Sequence, residues 1–144
     1  MRLGFIGTGK IASSVIQGIS KSKINYKKII ISPRNRLIAN RIKKNIKKVE
    51  IAKNNQMVID NSNWVFLCVT PTVGKKIIKY LKFRNSQMVI SFISTINLSD
   101  LKKMIKVKSN IVRAIPLPPI SIKKGPVPIC PPNRKVKNFF NMIG

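Results

Sequence analysis

Residues 2–12 read Arg2-Leu3-Gly4-Phe5-Ile6-Gly7-Thr8-Gly9-Lys10-Ile11-Ala12, and the fold can be predicted from them. The apolar run before Gly7 is typical of a short buried strand, and apolar residues recur at helical spacing from Ile11 onward. A G-x-G-x-x-A turn lies between the strand and the helix. This order of strand, glycine turn and helix is that of a βαβ unit that binds a dinucleotide.

The small residues of this turn each have a physical reason in such a unit. Gly7 permits the tight turn, Gly9 leaves no Cβ between the backbone and a pyrophosphate, and Ala12 lets the helix pack close to the strand. The free N–H groups of the helix and the positive end of its dipole then face the phosphates. We therefore expect the cofactor to be bound by Gly7, Thr8, Gly9, Lys10, Ile11 and Ala12. The alternative is a tight turn that holds no ligand.

The rest of the chain alternates between short strand-like segments and longer helical ones. Strands are predicted at residues 2–6, 28–31, 49–51, 64–69, 87–92 and 110–115. Helices are predicted at residues 10–20, 33–48, 55–61 and 73–81 and from residue 99, with Ser32 as the cap of the second helix. This succession predicts an α/β fold, a Rossmann-like doubly wound parallel sheet in three αβα layers, with the strand order 3-2-1-4-5-6.

The composition changes after Pro116, and this change divides the chain into three predicted parts. Residues 1–116 form a dinucleotide-binding Rossmann domain. Residues 117–133 are a Pro-rich segment that closes this domain, with an edge strand at 127–130, because proline at such density disfavours helices and central strands. Residues 134–144 resemble the start of a helix that has nothing to pack against and leads to a missing second domain.

The charge of the chain is unusual. Its 144 residues carry 29 Lys and Arg against three Asp and Glu, for a net charge of +26. Such a balance raises nucleic acid or an anionic membrane as a partner. The other interpretation is a bias of genome composition, because Ile, Lys and Asn dominate the sequence and the lysines are scattered along its whole length. We therefore expect nucleic-acid binding to be non-specific.

Several classes of site are disfavoured by what the sequence lacks. There is no histidine, so the imidazole of a Ser-His nucleophile pair is absent, and the two cysteines have no metal-binding spacing. We expect no metal site. No signal peptide and no apolar stretch long enough for a membrane span are present, so we expect a cytoplasmic protein without a membrane partner.

The turn after the second strand bears on the choice of cofactor. In the NAD form of this fold an Asp or Glu at this place binds the ribose 2′-OH, whereas here the residues are Ser32-Pro33-Arg34-Asn35. Hydroxyl, guanidinium and amide donors suit a 2′-phosphate, so Ser32, Arg34 and Asn35 favour NADP over NAD. The alternative is that Arg34 is one solvated cation among many, and that the missing acid reflects the acid-poor composition.

These motifs, in this order, resemble the N-terminal half of the pyrroline-5-carboxylate reductase family. The resemblance runs from Met1 to about Asn133, and its pieces are residues 3–12, 32–35, 65–71, 89–92 and 112–116 together with Asn55. It implies an NADP-dependent reductase of a cyclic imine, of the proline-biosynthesis type. It also implies that Asn55 holds the adenosine end of the cofactor. Val69, Thr70 and Pro71 end a strand at the edge where ligands lie in this fold, and we assign them to the ribose and nicotinamide side.

The sequence also departs from this family. Lys10 stands where the family usually has Asn, Thr70 where it has Lys, and Leu117 where it has Asn. The helical C-terminal domain, which builds the dimer in the family, is missing, so we expect a homo-oligomer only if such a domain is supplied. These departures leave the small-molecule substrate open.

No catalytic residue can be named from the sequence. A protonated imine is already activated, so a reductase of this type does not need a strong general acid. Arg113 could anchor a substrate carboxylate or order the Pro-rich segment, or it could simply pair with backbone carbonyls. Two alternatives to the reductase are a truncated NADP-binding remnant without activity and a basic nucleic-acid-binding protein.

Overall fold

Six parallel strands and one antiparallel edge strand form a single sheet in the computed structural model, which describes residues Met1–Gly144. The order across the sheet is β3-β2-β1-β4-β5-β6-β7. The strands are β1 Arg2–Ile6, β2 Lys28–Ile31, β3 Val49–Ile51, β4 Trp64–Leu67, β5 Met88–Ser91, β6 Asn110–Ala114 and β7 Ile129–Cys130. The predicted α/β class and the predicted order of the first six strands are thereby confirmed. The central strands are apolar at nearly every position because helices cover both of their faces.

Six α-helices cover the two faces of the sheet. They are α1 Lys10–Ser20, α2 Arg36–Asn45, α3 Asn55–Asp60, α4 Pro71–Ile77, α5 Leu98–Ile105 and α6 Arg134–Asn141. The buried side chains of α1, α2 and α6 belong to one hydrophobic cluster, and those of α3 and α5 belong to a second cluster on the opposite face. These are the three predicted layers. No helix combines the length and the apolar composition that crossing a membrane requires.

The second helix begins later than the sequence predicts. Its cap is Asn35, whose side chain accepts a hydrogen bond from the N–H of Ile38 at 3.2 Å, so the prediction of Ser32 as the cap is wrong. Ser32 still belongs to the end of β2: its N–H donates to the carbonyl of Phe5, and its side chain is buried beneath the turn. A residue held by the sheet cannot also cap a helix that starts four residues later.

The last helix is part of the core, and the prediction that it has nothing to pack against is wrong. The ring of Phe139 lies 5.0 Å from that of Trp64 and 5.7 Å from that of Phe66, and Phe140 lies 6.2 Å from Phe92. α1 and α2 leave the sheet face around β4 and β5 uncovered, and α6 fills this place. The aromatic residues that α6 meets lie on β4 and directly after β5, about 50 to 75 residues earlier in the chain.

The Pro-rich segment contacts α1 and pairs with β6. Residues Pro118–Ile122 form a 3-10 helix that packs so tightly on α1 that a Cβ at Gly18 would lie 2.4 Å from the carbonyl oxygen of Ile120. β7 then pairs with β6, with Cys130 beside Arg113 and Ile129 beside Ala114, and a cis peptide bond follows at Cys130–Pro131. An edge strand was expected at 127–130, and the structure has it at Ile129–Cys130.

Candidate cofactor site

The glycine turn joins β1 to α1 at the carboxyl edge of the sheet. Gly7 has a φ of +99°, and a Cβ there would lie 2.8 Å from the carbonyl of Cys68, so both the backbone conformation and the close approach require glycine. Gly9 has an ordinary extended conformation, and nothing lies within 4 Å of the place where its Cβ would be. Gly7 therefore builds the turn, whereas Gly9 keeps space in front of the helix.

The N-terminus of α1 differs from those of the other α-helices. No side chain caps it, whereas each of the other five is capped by a side chain that accepts a backbone N–H bond: Asn35, Asn54, Thr70, Asn97 and Asn133. The positive end of the α1 dipole and its first N–H groups thus have no side-chain partner within the chain.

The turn after β2 lies beside the glycine turn. The hydroxyl of Ser32 accepts the N–H of Gly7 at 3.0 Å and lies 2.7 Å from Oδ1 of Asn55, the first residue of α3. Arg34 is exposed, and it makes no hydrogen bond or ion pair within the chain. Its guanidinium is therefore free to bind an anion, as the sequence predicts for a 2′-phosphate site.

The end of β4 supplies the third wall of the site. Cys68 lies under the glycine turn, and burial raises the pKa of its thiol well above the usual value, so the thiol is protonated at neutral pH. Val69 and Thr70 follow it, and the Thr70 hydroxyl caps α4 by accepting the N–H of Val73 at 3.4 Å. Pro71 occupies the first turn of α4, where its missing N–H has no cost.

These three loops enclose one cleft of about 820 Å³. Nine of the predicted cofactor residues line it: Gly7, Thr8, Gly9, Ser32, Arg34, Asn35, Asn55, Val69 and Thr70. Four predicted residues lie outside this lining. Lys10 lines a second groove between α1 and α2. Ala12 is buried in the core, and Ile11 packs against the same core. Pro71 is the first residue of α4, directly after Thr70. No carboxylate lines the cleft.

Sequence reasoning missed several residues of the cleft wall. They are Leu37, Ile38, Cys68, Val73 and Ile77. Arg36 and Leu37 follow the predicted turn directly, and the late start of α2 brings its first turn to the cleft. Leu37 is 81% exposed there and offers an apolar surface at the mouth of the site. The sequence predicts that this helix begins at residue 33, so it does not indicate that its first turn faces the cleft.

Arg113 lies apart from the cleft lining, on β6. Its Nη2 donates to the carbonyl of Ser94 at 2.5 Å, and its Nε is buried without a partner. The hydroxyl of Ser91 accepts the N–H of Ile93 at 3.1 Å in the same loop. Arg113 therefore pairs with a backbone carbonyl, one of the roles considered for it, and holds the loop that follows β5. No three potential metal ligands are grouped anywhere in the structure.

The fold and the cleft define a dinucleotide-binding domain of the Rossmann class. Residues 2–95 match the family described as NADP oxidoreductase, coenzyme F420-dependent, and the chain belongs to this family. The predicted cofactor, NADP, is the one that this description gives.

The chain is also similar to pyrroline-5-carboxylate reductases, which confirms the resemblance found in the motifs. It is 27% identical over 128 residues to pyrroline-5-carboxylate reductase 3 of Danio rerio, an alignment that covers 87% of this chain and 44% of the relative. The chain thus spans less than half the length of this curated relative.

Solved structures show the same fold. A pyrroline carboxylate reductase of Plasmodium falciparum with NADP bound matches with a TM-score of 0.83 and 22% identity, covering 100% of this chain and 55% of that one. The 1-pyrroline-5-carboxylate reductase of Streptococcus pyogenes matches with a TM-score of 0.80 and 22% identity, covering 100% of this chain and 56% of that one.

Proposed function

We propose that the chain binds NADPH in the cleft and acts as the cofactor domain of a reductase that reduces the C=N bond of a cyclic imine. The observation that carries this proposal is the meeting of three loops at one cleft. One loop leaves an uncapped helix N-terminus, one supplies free arginines, and no loop supplies a carboxylate.

The phosphate end of the cofactor would lie against the glycine turn. The space in front of Gly9 and the N–H groups of the first turn of α1 suit a pyrophosphate, whose oxygens are acceptors without hydrogens of their own. The dipole of an 11-residue helix favours negative charge at this end. Residues Gly7 to Ala12 would thus act through their backbone rather than through their side chains.

The 2′-phosphate would lie beside Arg34 and Arg36. Both side chains belong to the cleft wall, and a guanidinium binds a phosphate in fork geometry. A carboxylate at this place would accept the 2′-OH of NAD and repel a phosphate. The turn therefore favours NADPH over NADH.

The reducing end of the cofactor would lie along Val69 and Thr70, near the start of α4. NADPH supplies a hydride when it is bound. The walls of the cleft contain no histidine, carboxylate or lysine, so the chain offers no strong base there. Reduction of an imine that is already protonated has no need of one, whereas oxidation of an alcohol does. The absence of a base therefore favours the imine as substrate class.

The first experiment is a fluorescence titration of the purified chain with NADPH and, in parallel, with NADH at about 150 mM salt, where screening suppresses non-specific attraction. Arg34→Ala should weaken NADPH binding about 10- to 100-fold, because a charge-assisted hydrogen bond contributes about 1.5–3 kcal/mol, and it should leave NADH binding unchanged. The control is Arg134→Ala, which removes the same charge at an exposed position at the start of α6. Equal losses in both variants would mark the binding as general electrostatic attraction.

A second measurement tests the reaction. NADPH oxidation by the chain is followed with and without a cyclic imine carboxylate. Imine-dependent oxidation would support the reductase, and tight NADPH binding without turnover would favour the alternative of a cofactor-binding remnant.

A further inference from the structure

Ser32 occupies an unusual position for a residue of a cofactor site. It is 3% exposed, and its hydroxyl oxygen accepts the N–H of Gly7 at 3.0 Å. Gly7 has a positive φ and no place in the sheet ladder, so this hydroxyl satisfies a donor that the turn would otherwise bury unpaired. Accepting this N–H uses one lone pair of the hydroxyl oxygen and leaves the hydroxyl hydrogen to be donated elsewhere.

The hydrogen of the Ser32 hydroxyl has two acceptors within reach. Oδ1 of Asn55 lies at 2.7 Å, and the carbonyl oxygen of Phe5 lies at 3.2 Å. The Phe5 carbonyl already accepts the backbone N–H of Ser32 at 3.1 Å. The shorter distance and the otherwise unbonded acceptor both assign the hydrogen to Asn55.

In this arrangement the Asn55 amide turns its oxygen toward Ser32. Its oxygen is bonded to Ser32, so its NH₂ group is the end left over, and this group has no hydrogen-bond partner within the chain. Asn55 lines the cleft. An NH₂ group can only donate, so at this position the cleft selects an acceptor oxygen such as those of a ribose or a phosphate.

We propose that Ser32 is a positioning residue that acts through two neighbours: it holds the N–H of Gly7 in the turn, and it orients Asn55 so that its NH₂ group donates to an oxygen of the bound nucleotide. This inference rests on the proposed function for its ligand. It makes Ser32, Gly7 and Asn55 one unit that joins the ends of β1 and β2 to the start of α3.

The first test is a double-mutant cycle on NADPH affinity. Ser32→Ala and Asn55→Ala should each weaken binding about tenfold, the loss expected for one hydrogen bond to a charged group. The double variant should bind no more weakly than Ser32→Ala, because the orientation of Asn55 is already lost there. Losses that multiply to about a hundredfold would show independent residues and overturn the proposal.

The matched control is Ser62→Ala. Ser62 is also buried, at 2% exposure, and its hydroxyl donates to the carbonyl of Val58 at 2.6 Å, but it lies at the opposite edge of the sheet. This variant should lose stability while its NADPH affinity stays unchanged. A loss of affinity equal to that of Ser32→Ala would indicate a general structural effect and contradict a positioning role.

Asn55→Asp separates orientation from folding. The carboxylate still accepts the Ser32 hydroxyl, so the turn is retained, but the oxygen that replaces the NH₂ group repels a nucleotide oxygen. We expect the variant to fold normally and to bind NADPH at least tenfold more weakly than the wild type. Affinity equal to that of the wild type would overturn the donor role of Asn55.

Hydrogen exchange of the Gly7 amide tests the unit without any cofactor. In the wild-type chain this N–H is bonded to a buried oxygen, and Ser32→Ala should accelerate its exchange at least tenfold relative to Gly9. Unchanged exchange would overturn the positioning of the turn. If the wild type bound no NADPH, the proposed function and the cofactor half of this inference would fail, whereas the exchange rate would still decide the role of Ser32 in the turn.

Discussion

At the amino edge of the sheet, polar side chains bond to the chain itself, whereas at the carboxyl edge several of them have no partner. Gln87 is 1% exposed and donates to the carbonyls of Ile59 and Ser62 at 2.7 and 2.9 Å. Arg84 donates to the same Ser62 carbonyl at 2.9 Å. At the carboxyl edge, by contrast, the guanidinium of Arg34 and the first turn of α1 are unpaired within the chain.

The difference separates residues that stabilise the fold from residues that are free to bind a ligand. Both edges carry the same kinds of side chain, an arginine and an amide, so residue type alone does not distinguish them. The two edges differ instead in whether the hydrogen bonds of these side chains are already satisfied within the chain. Variants at the amino edge should therefore change stability without changing affinity, and variants of the unpaired groups at the carboxyl edge should do the opposite.

The largest effect is expected in the aromatic layer on which both edges rest. Phe139→Ala removes a ring that contacts Trp64, Phe66 and Phe140, and truncation of a buried phenylalanine costs about 3–5 kcal/mol in the free energy of unfolding. Chemical denaturation measures this loss. Tyr80→Ala, at a residue that is 75% exposed, is the control and should change stability by less than about 0.5 kcal/mol. A stable Phe139→Ala variant would mean that α6 is not part of the core.

A smaller effect is expected at the amino edge. Gln87→Ala removes three hydrogen bonds, two donated to the carbonyls and one accepted from the N–H of Arg84 at 2.8 Å. At about 1 kcal/mol each, the loss in the free energy of unfolding is about 2–3 kcal/mol. NADPH affinity, measured well below the unfolding temperature, should stay within twofold of the wild type. A selective loss of affinity would break the distinction between the two edges.

The sheet could be predicted from the sequence because each strand and helix has its own local pattern. The glycine turn, the buried runs such as Trp64–Leu67 and the helical periods between them predict a doubly wound sheet, and handedness rules reduce the possible orders to a few. The place of α6 could not be predicted in this way. Its apolar side chains predict a buried face, but the aromatic residues that cover that face belong to strands far away in the sequence.

The residues of the cleft could be predicted better than their roles. Ser32, Arg34 and Asn55 follow strands or begin helices at one edge, so parallel topology brings them together. The sequence cannot tell that the Ser32 hydroxyl turns inward to Gly7 while Arg34 turns outward, because that depends on a 3.0 Å contact between two loops. The sequence misplaces the start of α2 for a similar reason: Ser and Asn are both good caps, and only the bonds that hold Ser32 to the sheet and to Gly7 decide between them.

The smallest effect and the sharpest test concern the uncapped end of α1. Gly9→Ser introduces a preferred cap at a residue whose backbone is already extended and whose side chain has open space, so the free energy of unfolding should rise by a few tenths of a kcal/mol. The new hydroxyl would occupy the N–H groups and the space that a pyrophosphate needs. NADPH affinity should therefore fall about tenfold, or about 1.4 kcal/mol, in a more stable protein.

Asn133→Ala is the reciprocal control for this variant, because it removes an existing cap from α6. It should cost about 1 kcal/mol of stability and leave NADPH affinity unchanged. Opposite signs of the two effects in Gly9→Ser cannot arise from general damage to the fold, since damage lowers stability and affinity together. If Gly9→Ser gained stability and still bound NADPH as tightly as the wild type, the open end of α1 would be a feature of the turn alone, and the cofactor phosphates would have to lie elsewhere.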